Sequence, residues 1–80
     1  MEFTRHFNQM IEERLIRLEW VDLAVKSPDH VEIREDGTKH FIKKIPEYEN
    51  RWLRVVVNVR LKPHRAVTAF FDRRLRRTTL

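Results

Sequence analysis

The chain has 80 residues, 41% hydrophobic and 36% charged, with no cysteine, one glycine and a formal net charge of +5. That length supports one hydrophobic core and no second domain, and the absence of cysteine excludes disulfides, thiolate metal sites and cysteine nucleophiles. The charge is divided along the chain: residues 1–40 carry six Lys or Arg against nine Asp or Glu, and residues 41–80 carry eleven against three, a sided field suited to steering a polyanion.

The first predicted element runs from Phe3 to Arg14, where Phe3, Phe7, Met10 and Ile11 recur at helical spacing behind a capping Thr4. A second, short helix starts at about Leu18 and stops before Pro28, because a residue preceding proline avoids the helical region. From there the apolar period changes to two. Val31 and Ile33 mark a short strand, Asp36-Gly37 a hairpin turn, and Thr38 to Ile45 the returning strand.

After a loop around Pro46, Tyr48 and Asn50, the segment Arg51 to Leu61 reads as the central strand. Leu53, Val55, Val57, Val59 and Leu61 fall on one face of it, with Trp52, Arg54, Val56, Asn58 and Arg60 on the other. A hairpin over Lys62 to Arg65 leads to a last strand, Ala66 to Phe71. The expected fold is therefore α+β: two N-terminal helices packed on the Leu53/Val55/Val57/Val59 face of a four-stranded antiparallel β-meander. Residues 1–74 form the domain in this reading, and residues 75–80 a basic tail.

The opposite sheet face is left exposed, with Trp52, Arg54, Val56 and Asn58 joined by either His40/Ile42/Lys44 or Phe41/Lys43/Ile45. An apolar floor set with cations suits nucleic acid, since aromatic rings stack bases and guanidinium groups neutralise phosphates. It equally suits a dimer interface, so a monomer or a homodimer is expected.

No run approaches the ~20 apolar residues of a membrane span, and the N-terminus lacks the order of a signal peptide; no membrane association and a cytoplasmic location are expected. His6, His30, His40 and His64 show no metal-ligand spacing, Ser27 sits before Pro28 with no nucleophile elbow, and neither metal nor cofactor is expected. Cleavage of RNA by its own 2′-OH needs only an acid, a base and cations. His6, His40 and Tyr48 are candidate acid/base groups; Arg14, Arg54 and Arg73 are candidate phosphate stabilisers. For Arg54 the competing role is an ion pair with Glu12 or Glu13.

Taken in order, Phe3-Thr4-x-His6, Glu13-Arg14, Arg51-Trp52-Leu53-Arg54-Val55-Val56-Val57 and Val67-Thr68-Ala69-Phe70-Phe71-Asp72-Arg73-Arg74 resemble a small bacterial family of domains of unknown function. That family in turn is similar to the BrnT and RelE-type toxins of toxin–antitoxin systems, which are metal-independent ribonucleases. The resemblance implies site roles for His6, Arg14, Arg54, Asp72, Arg73 and Arg74; His6, Arg54 and Arg73 are the expected catalytic residues, and Arg14, Lys43, Lys44, Arg51 and Arg74 the expected RNA contacts. It also implies an acidic, antitoxin-like protein as a partner beside RNA. The chain departs from the pattern at Met10, where relatives carry Arg, and at Leu15, where Gly is usual. The alternative is a non-catalytic nucleic-acid-binding or protein-interaction module.

Overall fold

The computed structural model describes residues 1–77, with the side chains of 76 and 77 left aside. Two helices, α1 (Arg5–Glu13) and α2 (Leu18–Lys26), precede four strands, β1 (His30–Ile33), β2 (Thr38–Ile45), β3 (Arg51–Asn58) and β4 (Arg65–Phe71). The strands form one antiparallel sheet in the order β1-β2-β3-β4, the α+β meander expected from the sequence. Short 3-10 helices follow β2 (Pro46–Tyr48) and β4 (Arg73–Arg77), so the expected boundary after residue 74 falls inside the last of these and residues 78–80 lie outside the described part.

Local chemistry explains where α1 begins and ends. The Thr4 hydroxyl accepts from the Phe7 amide at 3.1 Å, satisfying one of the donors that every helix start leaves over. At the other end Leu15 turns left-handed (φ 58°), its amide donating to Glu12 and that of Ile16 to Ile11 at 2.8 Å. This is the Schellman arrangement, closed by apolar contact between the buried Ile11 and Ile16.

The core lies between the helices and one sheet face. Phe7, Ile11, Trp20, Val21 and Ala24 meet Ile45, Leu53, Val55, Val57, Ala66 and Ala69. At roughly 1.5 to 3 kcal/mol per fully buried large side chain, this apolar layer is the main favourable term in folding. β3 ends at Asn58, shorter than expected, because the Asn58 side chain accepts from the Arg60 amide at 3.0 Å and turns the chain. Val59 is only partly buried and Leu61 lies exposed at 37%, so Leu61 is not a core residue.

Candidate functional site

Pairing across β2 and β3 resolves which residues share the uncovered face. Ile42 stands opposite Arg54, His40 opposite Val56 and Lys44 opposite Trp52, so the His40/Ile42/Lys44 set lies beside Arg54. Phe41, Lys43 and Ile45 face the helices. The uncovered face is not uniformly exposed: Ile42 is 0%, Arg54 4% and Val56 8% accessible.

Arg54 is the centre of that face. Its Nε donates to Asp72 Oδ2 at 2.9 Å, and its Nη1 donates both to Glu32 Oε1 and to His40 Nδ1 at 3.0 Å. Asp72 also takes the Arg74 amide at 3.1 Å and the Arg74 guanidinium at 3.0 and 2.9 Å, while Glu32 is bonded by Arg34. One guanidinium thus links β1, β2, β3 and the chain leaving β4. The expected partners Glu12 and Glu13 belong to α1, over the other face; the acids that pair with Arg54 are Glu32 and Asp72, reached through strand pairing that sequence spacing does not display.

These bonds set the charge states. Arg74 first, with Arg54 behind it, pulls Asp72 from the ordinary 3.8 down to about 2, and the hydrogen bond from Arg54, aided by Arg34, lowers Glu32. Burial, then the nearby Arg34 and Arg54 charges, lowers His40. A neutral His40 fits the geometry. Nδ1 accepts from Arg54, Nε2–H is left to donate to the Thr38 hydroxyl at 3.2 Å, and Thr38 donates to Asp36 Oδ1 at 2.6 Å.

Beside this network, at the end of the sheet where β3 begins and β4 finishes, lies a cleft of about 280 Å³. Tyr48, Trp52, Phe70 and Phe71 give it aromatic walls, and Arg14, Arg51 and Arg73 give it positive charge. The Arg51 guanidinium sits over the Tyr48 ring, 4.8 Å from its centre, and pairs with the exposed Glu49 at 2.8 Å. Arg14 reaches from the end of α1 and donates through Nη1 to the Ala69 carbonyl at 2.8 Å and to Thr68 at 3.2 Å. Arg14 is one of the residues lining the cleft. Arg14 also lines a second hollow, with His6, Gln9, Met10 and Glu13.

The structure therefore divides the expected site residues. Arg14, Arg51 and Arg73 line the aromatic cleft, whereas His6 lines the second hollow, which has Arg14 in common with the cleft. Arg54 and Arg74 are engaged by Asp72. Lys43 is drawn to Asp29 at 3.5 Å, and Lys44 lies over Trp52 at 5.9 Å from the ring centre. Tyr48 lines the cleft and His40 belongs to the Arg54 network, so neither lines the His6 hollow. The cleft-lining roles of Phe70 and Phe71 were not legible from alternation, because they arise where β4 ends.

Among the described residues no three His, Asp or Glu come together as a metal-ligand cluster, and no helix is long and apolar enough to cross a membrane. Residues 3–71 match the model of a family described as a domain of unknown function, DUF4258. No curated protein and no solved structure matches the chain.

Proposed function

The chain belongs to the DUF4258 family, and from that premise we propose that it is an RNA-binding, toxin-like endoribonuclease that works without metal. The observation that carries this reading is Arg14, which lines both the arginine-rich aromatic cleft and the hollow holding His6. RNA seated along the two would place a phosphate at Arg14, within the field of Arg51 and Arg73, beside the His6 imidazole. In the reaction the 2′-oxygen attacks the adjacent phosphorus and loses its proton to a base. The bond to the 5′-oxygen breaks, that oxygen takes a proton, and a 2′,3′-cyclic phosphate remains. His6 performs one of these two transfers, and solvent water at the open cleft performs the other.

Arg54 has a different role from the one its position in the strand suggests. Held by Glu32, His40 and Asp72, it is a positioning residue: it fixes Asp72, which binds the Arg74 amide and so sets the start of the last 3-10 helix and the place of Arg73. An acidic antitoxin-like partner would act by covering the cleft cations. The test is bacterial growth after induced expression of the wild-type chain beside a folded His6→Gln variant, with RNA ends mapped in both. Arrest with new cyclic-phosphate ends from the wild type alone is expected; normal growth and unbroken RNA with both proteins would overturn cleavage and leave a non-catalytic binding module.

A further inference from the structure

Resting on the RNA reading, we infer that the aromatic cleft seats one unpaired nucleotide next to the cleaved bond, with its base against Trp52, and that this seat selects single-stranded RNA over duplex. At about 280 Å³ the cleft lies just below the roughly 300–1,000 Å³ spanned by small-molecule pockets. It has room for one base and its sugar, and none for a stacked helix. In a duplex the bases are stacked and paired, and the deep major groove of A-form RNA is closed to side chains, whereas a single strand can turn a base outward onto an aromatic ring.

The walls are chemically suited to that guest. Trp52 supplies an aromatic wall, and Arg14, Arg51 and Arg73 stand at the same cleft to meet the phosphates on either side of the base. The Nε–H of Arg51 is buried without a hydrogen-bond partner, so this guanidinium is not fully satisfied by its exposed partner Glu49. Because Arg14 lines both the cleft and the His6 hollow, a phosphate held at Arg14 is flanked by the seated nucleotide. A base choice made at Trp52 is then a choice of cleavage position.

The probe is a six-nucleotide RNA with 2′-O-methyl groups that block cleavage, titrated against the full chain while tryptophan fluorescence is followed. Saturable quenching by the single strand is expected, with little by the same sequence in a duplex. Trp52→Leu should weaken binding by about 5- to 150-fold, the range found for losing one base–aromatic stack, while Trp52→Phe keeps near-native affinity without the signal from that ring. Equal binding of strand and duplex, or undiminished binding by a folded Trp52→Leu, would overturn the seat. The unblocked strand separates the two proposals. Tight, Trp52-dependent binding without cleavage would leave the seat and remove the nuclease; cleavage with binding indifferent to Trp52 would do the reverse.

Discussion

A guanidinium taken out of water must find acceptors for its donors, and Arg54 finds three in Glu32, His40 and Asp72. Removing Arg54 leaves the buried Asp72 with Arg74 alone, Glu32 with Arg34, and the His40 Nδ1 without its donor. Arg54→Met is therefore expected to lower stability by about 1 to 3 kcal/mol, measured by urea unfolding. The pH response follows from the same contacts. Asp72 is depressed in the fold to about 2, so its contribution is fully present above the unfolded value near 3.8 and is lost as pH falls through 2. It amounts to on the order of 1 to 2 kcal/mol once solvent screening of the exposed Arg74 is counted. His40 is also depressed. As a base kept neutral, it contributes stability that is complete above its unfolded pKa of about 6.5 and declines as pH falls from there toward its lower folded value. Acid unfolding followed by circular dichroism should show both losses; Asp72→Asn should flatten the lower one, and an unchanged profile would show that the carboxylate is not the titrating group.

For single elements the decisive chemistry sits at the ends. Thr4→Ala should cost about 1 kcal/mol, because the Phe7 amide loses its acceptor at the start of α1. Leu15 is the opposite case. A leucine with φ 58° carries a Cβ that crowds the following carbonyl, a strain of roughly 1 to 2 kcal/mol that glycine avoids, and its side chain is 74% exposed with little packing to lose. Leu15→Gly is expected to raise the thermal midpoint, even after the greater backbone freedom glycine gains on unfolding. A lowered midpoint would mean that the exposed leucine makes a stabilising contact which the strain argument omits.

On the scale of the whole molecule the charge division along the chain becomes a spatial one only in part. Many C-terminal cations are consumed internally: Arg54 and Arg74 by Asp72, Arg65 by Glu2 and Arg60 by the Glu35 carbonyl. The cations that line the cleft are Arg14, Arg51 and Arg73, with Arg51 also paired to the exposed Glu49. Binding of single-stranded RNA should weaken with salt, and Arg73→Gln should reduce the slope of log affinity against log salt by about 0.7, the value for one phosphate contact on a single strand. A slope unchanged by Arg73→Gln would place Arg73 outside the RNA path. Lys43, tied to Asp29 behind the sheet, should leave the slope unaltered when replaced by Gln.

By itself the sequence determined the elements whose causes are local. A capping Thr4, the Asp36-Gly37 turn, Pro28 and the strict alternation from Leu53 to Val57 each act within a few residues, so α1, α2 and the meander were legible before any contact was known. The helix-covered face was legible too, because burying one set of alternating residues commits the whole strand. What only the tertiary structure decided were relations between distant segments. The β2 residues beside Arg54 depend on the pairing register, and the end of β3 depends on Asn58 capturing the Arg60 amide. The partners of Arg54 come from β1 and from beyond β4, 22 and 18 residues away. Nothing in residue spacing shows which of several acids will reach a buried cation; that is fixed when the sheet closes and the desolvated charge must take the nearest carboxylates.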